Sequence, residues 1–289
     1  MNSIQIPTGL VGPGTQPAEE DGAVLDYLPL PKTMATYEPP RLPDPESLPA
    51  LGPALALLER LQTALTGHRV ADPPVVLDLS ALDQANRDLL AETLGDGEVR
   101  ALLTGPRAGR VQETRLAGVW WVRAPSAPSH PQGTEGQDYL EVADLPGLIR
   151  AAAFDGAADQ APLPDPLPTG VMNAPGVLAE VNAAVADCRP GDLPHIVNLT
   201  LLPQTPQDLD CLEATLGTGP VTLLSRGYGN CRVGATRVRN CWRVRHYNSQ
   251  EQLILDSIEV TPTPVAVLAA QEDLDDSAAR LAEILEALR

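Results

Sequence analysis

Cys231 is the residue whose neighbours in the sequence are best suited to chemistry. It follows a Gly-Tyr-Gly-Asn turn, and Arg226 and Arg232 flank that segment on either side. Two guanidinium groups close to the thiol would lower its pKa and favour the reactive thiolate. None of the four histidines has a spacing that compels a Cys–His pair. Two interpretations therefore stay open: a small residue packed at a hairpin end, or a thiol that contacts a redox partner.

Other catalytic or metal-binding sets are weaker. The four cysteines show no C-x-x-C spacing and are expected to be free thiols. A metal site made from Cys231, Cys241 and His246 is disfavoured, because strand alternation puts Cys241 and His246 on opposite faces. Gly227-x-Gly229 does not fit a dinucleotide loop, since a strand is predicted to follow it. We expect a binding protein, not an enzyme, with no cofactor and no metal.

The element that would position this cysteine is a three-stranded antiparallel meander. A β-branched run over Val221–Leu224 leads into the turn, a long strand is predicted over Arg232–Tyr247, and a third strand over Leu253–Val260. Gly and Asn residues favour the tight reversals between them.

The chain contains an internal repeat. When the sequence is shifted by 122 positions, Trp120 aligns with Trp242 and Thr114-Arg115 aligns with Thr236-Arg237. The same shift aligns Leu94, Gly95, Gly97, Val99, Val122 and Arg123 with Leu216, Gly217, Gly219, Val221, Val244 and Arg245. A constant offset through several elements indicates a duplication.

The repeat predicts an α+β fold of two tandem homologous modules. Each module is expected to contain a mixed or antiparallel sheet, made of a three-stranded meander plus one further strand and packed by helices. The predicted divisions are an extended Pro/Gly-rich N-terminal arm over 1–49, a first module over 50–154, a linker over 155–170 and a second module over 171–289. Helices are predicted near 53–66, 83–94, 146–154, 175–187 and 206–216 and from 273, and the further strands at 75–79 and 195–202.

The N-terminal arm allows two interpretations. Its prolines keep the backbone extended, as in a disordered tail. Apolar residues nevertheless recur along it, namely Leu25, Tyr27, Leu28, Leu30, Met34 and Tyr37. This spacing favours an arm laid over the globular part.

The two copies differ on one face of the predicted long central strand. One face is apolar in both and should pack on helices: Leu116, Trp120 and Val122 in the first copy, and Val238, Trp242 and Val244 in the second. The other face holds Ala117, Val119 and Trp121 in the first copy but Arg239, Cys241 and Arg243 in the second, with Arg237 and Arg245 beside them. This difference predicts an outward-facing arginine ladder. Its partners would be the chain's own acidic residues or an acidic patch on another protein.

Composition limits the possible partners. The net charge is −18 and Lys32 is the one lysine, so the chain repels phosphate backbones and no nucleic-acid partner is expected. No apolar run approaches the ~20 residues of a membrane span, and the first residues lack the features of a signal peptide. We expect a cytoplasmic protein without membrane insertion.

Several motifs, in order along the chain, resemble one family. Ser225 to Arg232 (SRGYGNCR), Asn240, Trp242, Tyr247-Asn248 and Ile258-Glu259-Val260 are similar to the C-terminal signature of the HupH/HyaF hydrogenase expression and formation proteins. Gly12-Pro13-Gly14, Glu19-Glu20-Asp21-Gly22 and Thr36-Tyr37 resemble its opening segment, and Gly97-Glu98-Val99, Gln112-Glu113 and Gly118-Val119-Trp120 its central motif. That family more often has a basic residue at the position of Trp121.

The resemblance implies an accessory factor for a membrane-bound uptake [NiFe] hydrogenase. The implied role is that of a non-enzymatic assembly factor or chaperone. It would bind the precursor of the iron–sulfur small subunit before export, together with accessory proteins such as a thioredoxin-like one. The alternative is a redox, thiol-transfer or metal- or cluster-handling protein acting through Cys231. The residues predicted to bind the partner are Arg226, Gly227, Tyr228, Gly229, Asn230, Cys231, Arg232, Arg237, Arg239, Asn240, Arg243, Gln112 and Glu113. Gln112 and Glu113 are either part of this recognition edge or a cross-strand polar pair.

Overall fold

The computed structural model describes residues 51–124, 137–226 and 229–288. The N-terminal arm and the turn residues Gly227 and Tyr228 lie outside the described residues. The helices are α1 Gly52–Leu65, α2 Gln84–Leu94, α3 Gly147–Ala152, α4 Ala174–Asp187, α5 Pro206–Leu216 and α6 Gln271–Ala287. The strands are β1 Val75–Asp78, β2 Arg100–Leu103, β3 Gly109–Glu113, β4 Val119–Ala124, β5 Gln137–Val142, β6 His195–Asn198, β7 Val221–Ser225, β8 Asn230–Ala235, β9 Cys241–Tyr247 and β10 Leu253–Val260.

The strands of the described residues form one antiparallel sheet, in the order β1-β5-β4-β3-β2-β7-β8-β9-β10-β6. At its centre β2 pairs with β7, with Ala101 opposite Leu223 and Leu102 opposite Thr222. Counted outward from this junction, the strands of the first copy (β2, β3, β4, β5, β1) follow the same order as their equivalents in the second copy (β7, β8, β9, β10, β6). The two copies therefore share a single sheet and are related by an approximate twofold axis. The α+β class is confirmed.

The predicted long strand over Arg232–Tyr247 is wrong, because the structure divides it into β8 and β9. Between them, Thr236 Oγ1 accepts the backbone N–H two residues further on at 3.1 Å, and Asn240 takes a positive φ of 56°. The first copy repeats this turn with Thr114 (3.2 Å) and Gly118 (φ 78°). A side-chain acceptor followed by a left-handed residue reverses the chain. Each copy thus contributes a four-stranded meander plus one further strand.

One face of the sheet, the helical face, is covered by two groups of helices. Helices α1, α2 and α6 pack on the first copy, in a core that includes Leu58, Leu61, Leu90, Leu140 and Trp121. Helices α4 and α5 pack on the second, in a core that includes Leu178, Val181, Leu212, Cys241 and Ile258. The helix pairs α1–α2 and α4–α5 are each held together by one polar side chain, which is the third residue of the later helix. Asn86 Oδ1 accepts from the Ala54 N–H at the start of α1, and Asp208 Oδ1 accepts from the Ala174 N–H at the start of α4.

The segment that follows each copy in the sequence packs on the other copy. Helix α6 follows β10 but lies on α1, where Gln62 Nε2 donates to the carbonyl of Ala278 at 3.0 Å. The predicted linker makes the reciprocal contact with α4, since Ala161 is buried there and exchanges two hydrogen bonds with the Asn182 side chain (2.7 and 2.9 Å). Each copy is therefore closed by a segment from the other.

The opposite face of the sheet carries one core shared by both copies. Four residues of the predicted apolar face lie in it: Trp120, Val122, Trp242 and Val244. Phe154, just after α3, meets Trp242 edge-on, with ring centroids 5.1 Å apart. This face packs as one layer across both copies instead of on separate helices of each. Leu116 and Val238, predicted for the same face, lie in the turns and pack on the helical side.

Candidate partner-binding site

The arginine ladder predicted on β9 is neutralised inside the molecule at its centre. Arg243 Nε and Nη2 each lie 2.5 Å from a carboxylate oxygen of Asp256 on the neighbouring β10. The two side chains are only 14% and 11% exposed. Arg245 lies near the same carboxylate and places Nη2 3.1 Å from Glu213 Oε2. The predicted outward orientation is wrong for Arg243, because a carboxylate of the same chain takes its charge.

The other predicted residues are divided between the two ends of β8. The first end, which is the N-terminal end of β8, holds Arg226, Gly229, Asn230 and Arg232. The second end, which is the turn after Ala235, holds Arg237, Arg239 and Asn240. The six residues of β8 separate these groups by roughly 20 Å at ~3.3 Å per residue. The structure therefore does not bring them together.

A cavity of ≈ 370 Å³ adjoins the second end of β8 and contains two arginines in its lining. Arg239 Nε lies 3.0 Å from Asp159, and Arg150 Nη2 lies 2.6 Å from Asp144. Both guanidinium groups thus have carboxylate partners within the chain. Asn240 also lines this cavity.

Gln112 and Glu113 have structural roles on β3. Glu113 is buried, and its carboxylate accepts the backbone N–H of Val99 (3.3 Å) and of Gly118 (3.2 Å). Burial raises the pKa of Glu113 to about 7, although these two hydrogen bonds act in the opposite direction. Gln112 Nε2 donates to the carbonyl of Gly97 at 3.3 Å and to that of Glu113 at 2.9 Å. Glu113 is therefore not part of an exposed recognition edge.

Cys231 lies in the shared core, where only 5% of it is exposed. Burial raises the pKa of its thiol to about 12, with a further contribution from the charge of Glu259. The predicted lowering by neighbouring arginines is wrong, because Arg232 is the next residue in the strand and points to the other face. Cys231 Sγ lies 3.8 Å from His246 Nε2. Sequence spacing did not reveal this pair, which the register of β8 with β9 places side by side.

Two arginines from different copies meet at the β2–β7 junction. Arg100 of β2 lies opposite Leu224 of β7, which lies opposite Arg232 of β8, so all three side chains share the helical face. Arg226, two residues beyond Leu224, lies at the same end. Burial lowers the pKa of Arg226 and the positive charge of Arg100 lowers it further, while Asp96 acts in the opposite direction. The two guanidinium groups are therefore close enough to repel each other. We call Arg100, Arg226 and Arg232 the junction arginines.

Two of the junction arginines, Arg100 and Arg226, form no ion pair within residues 51–124, 137–226 and 229–288, although Asp96 acts on Arg226 through its charge. The Nε atoms of Arg100 and Arg226 are both enclosed, and neither makes a hydrogen bond in that part of the chain. Enclosed donors of this kind are rare in folded proteins unless a partner or solvent satisfies them. Arg100 is not among the residues predicted from the sequence, because it belongs to the other copy and only the pairing of β2 with β7 brings it to Arg226.

The described residues offer binding groups at this junction. Guanidinium groups donate in a planar fork that matches a carboxylate, and they neither transfer protons nor attack substrates at neutral pH. Within the described ranges, no group of three or more His, Cys, Asp or Glu side chains is arranged to hold a metal ion. None of the helices in those ranges is long and apolar enough to cross a membrane.

Comparison with known proteins identifies the family. The model of the HupH hydrogenase expression protein C-terminal conserved region matches twice, over residues 51–165 and 171–288. The chain is 47% identical to the hydrogenase expression/formation protein HupQ of Azotobacter chroococcum, over 98% of this chain and 97% of that protein. It is 44% identical to HoxQ of Cupriavidus necator, over 99% and 98% of the two chains. It is 32% identical to the hydrogenase-1 operon protein HyaF of Escherichia coli, over 96% and 95%. The chain therefore belongs to the HupH family of hydrogenase expression/formation proteins.

Proposed function

We propose that this protein is a non-enzymatic assembly factor for a membrane-bound uptake [NiFe] hydrogenase. It acts in the cytoplasm and binds the iron–sulfur small subunit before export, together with other accessory proteins such as a thioredoxin-like one. Its family membership supports a role in hydrogenase maturation. The observation that carries the binding role is the group of junction arginines, which offers charged donors to a partner from both copies at once.

The contact surface we propose differs from the one expected from the sequence. Its centre is the first end of β8, with Arg226, Asn230 and Arg232, and Arg100 is added from the first copy. Arg237 and Arg239 are exposed at the other end of β8 and supply a second contact. Arg243 is left out, because its guanidinium group is bound to Asp256.

A thiol-transfer role for Cys231 is less well supported. Burial raises the pKa of this thiol to about 12, so the thiolate is scarce at neutral pH. The side chain also packs in the shared core, away from the helical face that carries the junction arginines.

Co-purification from cells that make the hydrogenase tests the proposal. We expect the tagged protein to recover the precursor of the small subunit, and Cys231→Ser to recover the same amount. A strain without the small subunit is the control. Recovery of the large subunit from that strain would contradict small-subunit binding, and loss of hydrogenase maturation in Cys231→Ser with binding retained would support the thiol role instead.

A further inference from the structure

The two ends of the β2–β7 junction are equivalent by the repeat, yet arginines occupy only one of them. The shift of 122 positions aligns Arg100 with Thr222 and Thr104 with Arg226. Because β2 and β7 are antiparallel, the two arginines meet at one end and the two threonines at the other. At the threonine end, Thr104 donates to the carbonyl of Pro220 through its N–H (2.8 Å) and its hydroxyl (3.3 Å). The pairing of the strands therefore does not require charged residues at either end.

The arginine end has an apolar floor. Leu224 lies between Arg100 and Arg232 on strands that are ~4.8 Å apart. Only 2% of Leu224 is exposed, as expected when the aliphatic stems of neighbouring arginines cover it. Leu102 and Thr222, half-buried on the same face, continue this floor along the junction.

The arginine next to this site on β9 is neutralised by the chain's own carboxylates. In the row of residues that crosses the sheet, Arg232 lies opposite Arg245, which lies opposite Asp256. Arg245 lies 3.7 Å from the carboxylate of Asp256. Arg100, which lies across Leu224 in the same row, and Arg226, two residues beyond Leu224, form no such ion pair in the part of the chain that the structure describes. Within the described residues Asp96 acts on Arg226 through its charge, but neither guanidinium group forms an ion pair with a carboxylate. Two adjacent cations in this state leave room for a carboxylate from a partner.

We propose that the junction arginines bind an acidic segment of a partner protein. One carboxylate of the segment accepts hydrogen bonds from both Arg100 and Arg226, and a neighbouring apolar side chain covers the stems above Leu224. The apolar floor favours a peptide over a small inorganic anion, which would contact the guanidinium groups alone. This inference deepens the proposed function and rests on it only for the identity of the partner.

Selection from a random displayed peptide library tests the site without naming the partner. The full chain should enrich peptides in which Asp or Glu stands beside an apolar residue, whereas the double variant Arg100→Gln/Arg226→Gln should not. Exchange of the acidic residue for its amide in an enriched peptide should weaken binding at least about tenfold, since a hydrogen bond to a charged group contributes ~1.5–3 kcal/mol. Arg60→Gln, an exposed arginine on α1, is the matched control and should behave like the unmodified chain.

Three results of the peptide selection would overturn the inference. These are no enrichment of acidic peptides by the unmodified chain, equal enrichment by the double variant at an unchanged melting temperature, or displacement of the selected peptide by millimolar inorganic phosphate. Co-purification of the double variant separates this inference from the proposed function. If the double variant still recovers the small subunit, the inference fails and the function stands. If the unmodified chain enriches acidic peptides but recovers no hydrogenase subunit, the function fails and the inference stands.

Discussion

Positions 121 and 243 are equivalent in the two copies, and each donates to an aspartate on the next strand. Trp121 Nε1 donates to Asp138 Oδ1 at 2.6 Å in the first copy. In the second copy Arg243 binds Asp256 through two N–H groups. The copies have thus kept the acceptor and exchanged the donor. An indole N–H and a guanidinium fork are two ways to satisfy a largely buried carboxylate.

The junction shows a difference of another kind. There, Arg100 and Arg226 replace threonines, and no acceptor in the described chain accompanies them. Arg243 diverged at a position where its acceptor was already present, which makes it part of the internal structure. Arg100 and Arg226 diverged at positions where the described chain supplies no acceptor, which is the basis for the proposed recognition role. Removal of one side chain should therefore change the stability by very different amounts, depending on whether its partner is buried within the chain or exposed.

The largest effect is expected for Asp256→Ala. This change leaves Arg243 and Arg245 without their shared carboxylate in a site where both side chains are 14% exposed. Loss of one partner of a buried pair costs about 3–5 kcal/mol, which urea unfolding would measure as a lower free energy of unfolding. Asp159→Ala is the control, because Asp159 is 85% exposed beside Arg239 and should change stability by less than about 1 kcal/mol. Equal losses in both variants would refute the distinction between the two ion pairs.

Glu113 should give the first copy a pH dependence that the second copy, with Ala235 at the equivalent position, lacks. Its pKa of about 7 in the folded protein lies above the ordinary 4.5. The contribution of Glu113 to stability is therefore fully present below pH ~4.5 and is lost as the pH rises through about 7. Glu113→Gln should remove up to roughly 3 kcal/mol of this decline, as urea unfolding between pH 5 and 8 would show. Parallel curves for the variant and the unmodified chain would contradict the burial argument.

A smaller difference is expected between Asp208→Ala and Asn86→Ala, at equivalent positions of α5 and α2. Asp208 Oδ1 accepts the backbone N–H groups of Met172, Asn173 and Ala174 (2.8, 2.8 and 2.9 Å), and its charge strengthens each of these bonds. Asn86 Oδ1 is a neutral acceptor and receives the N–H of Ala54 (2.9 Å). We expect losses of about 2 and about 1 kcal/mol respectively, measured by thermal unfolding. A larger loss for Asn86→Ala would show that the charge of the acceptor does not set the cost.

Much of the fold is encoded locally and was therefore predictable. Helices α1, α2, α4 and α5 begin within one residue of their predicted positions. Asp83 and Thr205 accept a backbone N–H at the start of α2 and α5, which are start signals that a sequence displays directly. The repeat itself was visible because the spacing between equivalent residues is constant.

The rest depends on contacts between distant residues. The turn between β8 and β9 was missed, because Val238 continues the apolar alternation that leads to Trp242, and the role of Thr236 as an acceptor appears only in three dimensions. The partner of Arg243 lies on another strand. Likewise, Arg100 joins Arg226 only because β2 and β7 pair. Alternation along one strand cannot reveal which side chain a neighbouring strand supplies.

The reciprocal exchange of segments has a consequence for biosynthesis. Leu274, Leu281 and Leu285 of α6 complete the core around α1, so that core stays unfinished while the ribosome is still making the second half. The nascent first half must keep apolar surface exposed until the last helix emerges. The core around α1 can therefore be completed only after the last helix has been synthesised. An incomplete translation product would expose this core to solvent and be subject to proteolysis.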